Sequence, residues 1–229
     1  MTLQIDTFRR EAKCNYTPVK YFRPEALRVV KRSPRDRRSQ GNKKRIIKVA
    51  LKLFSQKGFH NTTIIDIANA YGMSVGNMYN YFKSKEELAK YTTKYSVRIL
   101  SDILRPINHQ NISAKEKLFI FVHAFLTATN NSPEVVEYFL NVYVSNRELF
   151  RDGTERFLYV REFVNEVGIF LEQGMSMGVF REQSSIAAFS FIMGTLGSIV
   201  FLNSENLLNR DLLEYADDIS RNLYRALKK

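Results

Sequence analysis

The sequence predicts an all-α protein with a small three-helix helix-turn-helix domain ahead of a larger helical domain. Three observations carry this prediction: apolar residues recur at helical spacing, capping residues precede several of these stretches, and no convincing strand pair is visible. A chain of 229 residues is long enough to bury a sound core. We expect a basic, partly flexible extension over residues 1–40, the helix-turn-helix domain over 41–88, and the helical domain over 89–229.

The extension shows little apolar periodicity. Residues 35–41 read Arg-Asp-Arg-Arg-Ser-Gln-Gly, which is typical of a flexible linker. The residues before this linker are either a basic arm that adds contacts to DNA or a solvated, partly disordered tail, and both interpretations stay open.

Two helices of the next domain are predicted from their ends as well as their faces. The first carries an apolar stripe over residues 46–54. Thr62 or Thr63 can cap the second through a side-chain oxygen, and Asp66 suits the positive end of that helix if Thr63 is the cap. Gly72 can end the second helix after about two turns.

The third helix is the one expected to meet DNA, because the second helix of a helix-turn-helix pair enters the major groove. Ser74 can cap it, and Met78 and Phe82 share one face that anchors it to the core. Its opposite face carries small and amide side chains with tyrosines at the edges, which suits contacts to bases and phosphates. Ser84 and Glu87 then fit a capping box that starts the next helix.

The segment Gly72–Gly76 also fits the G-x-S-x-G nucleophile elbow of α/β-hydrolases, so an enzyme is a formal alternative. That motif needs a buried strand before the serine. The preceding residues have a helical pattern instead. We therefore interpret Ser74 as a helix cap and expect neither enzyme activity nor a catalytic residue.

The rest of the chain is helical in pattern, with helices predicted over residues 88–104, 113–130, 133–146, 154–177, 184–202 and 210–227. The first of these is expected to end before Pro106, because proline disfavours helix in the residue that precedes it. The run Ile186–Leu202 is apolar nearly all round and must be covered on most sides. It is shorter than the ~20 residues of a spanning helix, so we expect a packing helix and no membrane span.

Charge is divided unevenly along the chain. Residues 1–40 carry 11 basic and 4 acidic side chains (net +7), residues 41–95 carry 10 and 3 (net +7), and residues 96–229 carry 14 and 16 (net −2). A basic patch beside a DNA-reading motif is the electrostatic footprint of a DNA-binding protein. Cys14, the single cysteine, fits a cytoplasmic protein, and the three scattered histidines predict no metal site and no cofactor.

The pattern Thr-Thr, Ile-Ala, Gly-Met-Ser-Val-Gly-Asn-Met-Tyr-Asn-Tyr-Phe and Ser-Lys-Glu-Glu-Leu resembles the DNA-binding domain of TetR-family transcriptional regulators over residues 45–88. By that resemblance, DNA phosphates would be held by Thr62, Thr63, Ser74, Tyr79, Tyr81 and Lys85. The base edges would lie nearest Val75, Gly76, Asn77 and Asn80. The chain departs from the family at Val75, where a basic or polar residue is usual, and at Tyr81, where His is usual.

The later helices resemble, with less specific patterning, the ligand-binding and dimerisation domain of the same family. The resemblance implies that the last two helices pair with a second subunit, through Ile186, Phe189, Met193, Gly197, Val200, Leu212 and Ile219. Burial within one subunit is the alternative. The family resemblance also implies a pocket for an apolar or aromatic effector, with candidates Phe119, Phe125, Tyr138, Phe139, Tyr143 and Phe163. A packed core explains the same aromatic residues.

The resemblance implies a cytoplasmic, nucleoid-associated homodimer that binds double-stranded DNA. We expect a repressor that a small-molecule effector releases from a near-palindromic operator. The alternative is a DNA-binding structural or chromosome-organising protein of the same fold without an effector switch.

Overall fold

The first helix, α1 (Pro34–Lys57), begins earlier than the sequence predicts. The computed structural model describes residues 34–139 and 145–229, so the predicted arm over residues 1–33 lies outside the described part. The interpretation of residues 35–41 as a flexible linker is wrong, because their backbone is helical. Proline is tolerated in the first turn of a helix, and the Arg, Gln and Lys residues that follow are good helix formers.

The second helix, α2 (Ile64–Tyr71), is bounded by the residues that the sequence predicts. The Thr63 hydroxyl accepts from the Asp66 N–H at 3.1 Å, and the Asp66 carboxylate accepts from the Thr63 N–H at 2.8 Å. The helix ends at Gly72, whose φ of 83° lies in the left-handed region that favours glycine. These contacts confirm the cap and the turn that set the start of the next helix.

The third helix, α3 (Val75–Tyr79), is short and starts from the predicted serine cap. The Ser74 hydroxyl accepts from the Asn77 N–H at 3.3 Å. Because a helix precedes Ser74, the strand that a nucleophile elbow requires is absent at this place. The three helices enclose a shared core of buried side chains: Ile46, Ala50, Leu51, Phe54, Ile67, Ala68, Met78 and Phe82.

The fourth helix, α4 (Lys85–Asn108), runs through Pro106, so the predicted end before that proline is wrong. Contacts to the rest of the domain hold the last turn. Arg105 pairs with Glu162 and Glu166, and the Asn108 side-chain amide donates to the Glu166 carbonyl at 2.9 Å. These bonds offset the missing backbone donor of the proline.

The middle of the larger domain consists of α5 (Ala114–Asn131), α6 (Pro133–Tyr138) and α7 (Gly153–Ser176). A capping box of Ser113 and Glu116 starts α5 close to the predicted residue. The prediction that α6 continues to residue 146 is wrong, because residues 145–146 have left the helix and a short 3₁₀ turn follows over Arg147–Leu149. Helix α7 packs along α4 and, with α5, encloses an aromatic core of Phe121, Phe125, Phe163, Phe170 and Phe180.

The chain closes with α8 (Ser185–Ser204), a 3₁₀ turn over Leu212–Tyr215, and α9 (Ala216–Leu227). The last helix begins later than predicted because the residues before Ala216 form the 3₁₀ turn. Helix α9 packs on α5, and α8 contacts α7 and α9. The described residues contain no strand, which confirms the all-α class.

Helix α8 is longer and less buried than the sequence predicts. It has 20 residues and a mean hydropathy of 2.0 over its most apolar window, of which 28% is buried. By length and composition alone it is able to cross a membrane, and the apolar core helix of a soluble protein passes the same test. Most of this helix is therefore uncovered within one chain.

Candidate DNA-binding surface

The reading face of α3 is exposed. Gly76, Asn77 and Asn80 are exposed, Val75 is half-buried, and the Asn80 side-chain amide donates to the Asn77 side-chain oxygen at 3.2 Å. No heavy atom lies within 4 Å of the point where a Cβ on Gly76 would stand. The helix therefore presents a flat polar surface that a neighbouring molecule can approach closely.

Three of the predicted phosphate contacts flank this face. Thr63 and Ser74 are exposed at the first ends of α2 and α3, and each hydroxyl accepts a backbone N–H there. Tyr79, at the end of α3, is 52% exposed. The hydroxyls of Ser74 and Tyr79 remain able to donate to phosphate oxygens, whereas the Thr63 hydroxyl already donates its proton to the Asp66 carboxylate at 2.7 Å.

Thr62 does not belong to this group. Its side chain is completely buried, and its hydroxyl donates to the Gly58 carbonyl at 2.8 Å. The predicted contact between the Thr62 side chain and phosphate is wrong, because that hydroxyl holds the loop that follows α1.

Lys85 is placed differently from the simple expectation of a solvated cation. Its ammonium group donates to the Phe59 carbonyl at 2.9 Å and lies 4.3 Å from the centroid of the Phe59 ring. A second carbonyl, that of His60, lies at 3.5 Å. Lys85 therefore joins the start of α4 to the loop after α1, with its charge held beside the helix-turn-helix.

The Tyr81 hydroxyl is tied to α1 through a residue that the sequence interpretation missed. The Asn42 amide nitrogen donates to the Tyr81 hydroxyl at 3.2 Å, and the Tyr71 hydroxyl donates to the Asn42 amide oxygen at 3.2 Å. Nothing in the local pattern marks Asn42, because its partners lie 29 and 39 residues away. One amide thus connects α1 with the end of α2 and the exit of α3.

Basic side chains of α1 surround this contact. The Lys43 ammonium lies 3.9 Å from the centroid of the Tyr91 ring and 5.0 Å from that of Phe82. The Arg45 guanidinium lies 5.6 Å from the centroid of the Tyr71 ring. These cations add positive potential next to α3, which favours a polyanionic partner.

The larger domain contains a small, partly enclosed cavity among its described residues. Its volume is about 100 Å³, and it is lined by Ile99, Leu100, Ala128, Ser132, Val135 and Val136. None of the predicted pocket residues lines it. Phe125, Tyr138 and Phe163 are buried in the core and do not line this cavity. Phe119 lines an open groove along α5, Phe139 is half-buried, and Tyr143 lies outside the described residues.

Helix α6 connects this cavity to the DNA-binding half. Val135 and Val136 line the cavity, whereas Tyr138, two residues later in the same helix, does not. The Tyr138 hydroxyl donates to the Ala89 carbonyl of α4 at 2.7 Å, and its ring lies 6.1 Å from the ring of Phe54 in α1. Burial raises the pKa of Tyr138, so this hydroxyl stays protonated as a donor.

The predicted dimer residues fall into two groups. Val200, Leu212 and Ile219 are buried inside the protomer and cannot pack against a partner, because their neighbours are already the domain core. Ile186 is exposed, and Phe189, Met193 and Gly197 are half-buried. The exposed residues of α8, among which Ile186 alone was predicted for the interface, are Ile186, Ala187, Ser190, Phe191, Gly194, Ser198, Phe201, Leu202 and Ser204.

Comparison with known proteins places this surface in context. Residues 46–92 match the family model described as bacterial regulatory proteins of the tetR family. The chain is 28% identical over 196 residues to the uncharacterized HTH-type transcriptional regulator YerO of Bacillus subtilis, covering 73% of this chain and 67% of that protein. It is 27% identical to the HTH-type transcriptional repressor KstR2 of Rhodococcus jostii, covering 68% and 76%.

Solved structures share the fold. The transcriptional regulator FadR from Bacillus subtilis, in complex with stearoyl-CoA, superposes with a TM-score of 0.70 at 21% identity, covering 80% of this chain and 98% of that one. Among residues 34–139 and 145–229, no group of three or more His, Cys, Asp or Glu residues lies together as metal ligands would.

Proposed function

The chain belongs to the TetR family of transcriptional regulators, and from that premise we propose that it is a repressor released from its operator by a small-molecule effector. The observation that carries this proposal is the exposed polar face of α3, with Gly76, Asn77 and Asn80 at its centre. Base-edge contacts from this face would specify sequence, and the hydroxyls of Ser74 and Tyr79 would hold phosphates around it.

The operator is expected to be near-palindromic. The uncovered apolar face of α8 gives a second copy of the chain a surface on which to pack, and a two-fold dimer presents two copies of α3. Two such helices would enter successive major grooves about 34–36 Å apart. The protein would therefore act as a cytoplasmic homodimer.

The effector is expected to bind at the cavity between α4, α5 and α6. A volume of about 100 Å³ is smaller than the roughly 300–1,000 Å³ of ordinary ligand sites, so a ligand must displace part of its wall. Helix α6 is the shortest element of that wall and also carries Tyr138. Its movement would disturb the contacts of Tyr138 with Ala89 and Phe54, and so change the population of DNA-binding conformations.

Selection of bound duplexes from a random DNA pool tests the regulator proposal. The expected product is a pair of inverted half-sites whose centres are 10–10.5 base pairs apart, or a multiple of that spacing. Recovery of unrelated sequences at equal affinity would contradict a sequence-specific operator. That result would favour the alternative, a chromosome-organising protein.

The effector is tested separately, on the complex with the selected duplex. Acyl-CoA thioesters are the first class to try, because the structurally similar FadR is bound to stearoyl-CoA. An effector should raise the melting temperature of the free protein and weaken operator binding together. Enlarging Ala128 to Phe should fill the cavity and abolish both responses while leaving DNA binding unchanged. A response that survives this substitution would place the effector elsewhere.

A further inference from the structure

We propose that Asn42 is a positioning residue for DNA binding, whose side-chain amide directs the Tyr81 hydroxyl so that its proton is donated to a DNA phosphate. This inference rests on the proposed DNA-binding function. It adds a residue outside the helix-turn-helix pair and gives a reason for the tyrosine at position 81.

The geometry consists of two hydrogen bonds in series. The Tyr71 hydroxyl donates to the Asn42 amide oxygen at 3.2 Å, and the Asn42 amide nitrogen donates to the Tyr81 hydroxyl oxygen at 3.2 Å. All three side chains are partly buried. The bonds therefore have a defined direction, from Tyr71 through the amide to Tyr81.

The direction decides where the proton of Tyr81 points. A phenolic hydroxyl has one proton and accepts through its oxygen lone pairs. Since the oxygen of Tyr81 already accepts from Asn42, its own proton must point away from that amide. Among the described residues the Tyr81 hydroxyl accepts from Asn42 and donates no hydrogen bond of its own, so its proton is available to a molecule that binds at this surface.

The surroundings favour an anion as the missing acceptor. Tyr81 follows directly on the exposed face of α3, and Lys83, two residues later, is exposed. The Arg45 guanidinium lies over the ring of Tyr71, at the other end of the chain of bonds. A phosphate oxygen supplies the acceptor and the negative charge that this positive region lacks.

Asparagine suits this role because it has one donor end and one acceptor end. An aspartate at position 42 would accept from both tyrosines, and the Tyr81 proton would then turn towards the protein. An alanine would leave the Tyr81 hydroxyl free to rotate. Asn42→Asp therefore tests the direction of the hydrogen bonds, whereas Asn42→Ala tests the loss of both bonds.

The test measures the affinity of the full chain for a random-sequence duplex of fixed length, since a phosphate contact acts on all sequences. Tyr81→Phe should weaken binding by roughly tenfold, the effect of losing a hydrogen bond to a charged group. Asn42→Ala should weaken binding by about threefold, and Asn42→Asp by at least as much as Tyr81→Phe. Melting temperatures of the free variants monitor folding.

The double variants show whether Asn42 acts on DNA binding through Tyr81. In the Tyr81→Phe background, Asn42→Ala should cause no further loss of DNA affinity but should still lower the melting temperature, because the hydrogen bond from Tyr71 is lost. In that background, Asn42→Asp should lower DNA affinity only through repulsion between the new carboxylate and the DNA phosphates. An Asn42→Ala effect of equal size in both backgrounds would overturn the inference and leave Asn42 a purely structural residue.

The remaining outcomes are also distinct. Unchanged affinity for Tyr81→Phe would overturn both the phosphate contact of Tyr81 and the role of Asn42, while the regulator proposal would survive on the wild-type affinity. Failure of the wild-type protein to bind any duplex would overturn the proposed function itself.

Discussion

At the scale of single residues, the environment of a side chain decides its role more than its place in a motif. Thr62 and Thr63 are adjacent and chemically identical, yet one hydroxyl is buried on a carbonyl and the other is exposed at a helix end. Lys85 likewise stands at a position that the family resemblance assigns to phosphate, but its ammonium group already binds two carbonyls. Such a residue contributes to folding as well as to binding.

Substitution of Lys85 by Ala should therefore have two effects. It should weaken binding to all DNA sequences. It should also reduce the slope of log affinity against log salt concentration by about one unit, because one cation is removed from the surface that contacts phosphates. It should also lower the melting temperature, because the Phe59 carbonyl loses its donor. Lys83→Ala, at an exposed neighbouring position, is the matched control and should leave the melting temperature unchanged. An unchanged salt slope for Lys85→Ala would show that the residue acts on the fold alone.

Gly174 is a second residue whose importance depends on its neighbour. A Cβ at this position would stand inside van der Waals distance of the ring carbons of Phe180, a fully buried side chain. Gly174→Ala should therefore destabilise the protein by roughly 1–3 kcal/mol, measured by urea unfolding. Gly153→Ala, where the added methyl meets no atom within 4 Å, should be neutral or slightly stabilising. Equal stability of the two variants would contradict this packing argument.

At the scale of elements, hydrogen bonds and an ion pair at the start of α7 hold the start of α4 in place. The Lys90 ammonium donates to the Glu155 carboxylate at 2.8 Å, and the Arg151 N–H donates to the same carboxylate at 2.7 Å. The His60 ring and the Glu148 carboxylate meet at 3.0 Å nearby. These contacts join the larger domain to the helix that leads out of the DNA-binding domain, so they help to fix the position of α3.

The pH dependence of the melting temperature of Glu155→Gln tests whether these contacts stabilise the protein. The hydrogen bond from Lys90, with that from Arg151, lowers the pKa of Glu155 to about 2, from an ordinary value of 4.5. A lowered pKa stabilises the folded state fully above about pH 4.5, and this contribution is lost as the pH falls towards 2. The wild type should therefore lose more of its melting temperature than Glu155→Gln between these pH values.

The control for that prediction is Glu172→Gln, which removes an exposed carboxylate of the same helix. Its melting temperature should follow that of the wild type throughout the titration. If Glu155→Gln also follows the wild type, the Lys90–Glu155 pair does not contribute to acid stability.

At the scale of the whole molecule, the main feature left unsatisfied is the apolar face of α8. Phe191 and Phe201 are exposed there beside the small residues Gly194 and Ser198, which allow close approach of another helix. Exposed apolar area of this kind marks an interaction surface. A second copy of the chain packed on this face would cover it and would also give the two α3 helices a common axis.

Phe201→Glu should convert the dimer to monomers, because it places a charge in a surface that must be desolvated. Light scattering after gel filtration measures the change, and operator affinity should fall with it. Leu158→Glu is the matched control, since Leu158 is also 56% exposed, as Phe201 is, but lies on α7 away from this face. A dimer that persists in Phe201→Glu would exclude α8 as the interface.

The sequence by itself determined the helical class, the family and the local chemistry of the helix-turn-helix. The caps at Thr63, Ser74 and Ser113 and the turn at Gly72 are set by neighbours within four residues, so spacing was sufficient to predict them. The exposed face of α3 also follows from helical periodicity, which fixes Met78 on the inner side.

The tertiary structure alone decided the contacts between residues distant in sequence. It directed Lys85 to Phe59, connected Asn42 to two tyrosines and carried α4 past Pro106. It also assigned Val200, Leu212 and Ile219 to the core and left Phe191 and Phe201 exposed, because helix α8 is apolar on all sides and has no periodicity that marks its inner face. The physical reason is the same throughout: a local pattern fixes which face a residue occupies, but only the packing of whole helices determines what that face meets.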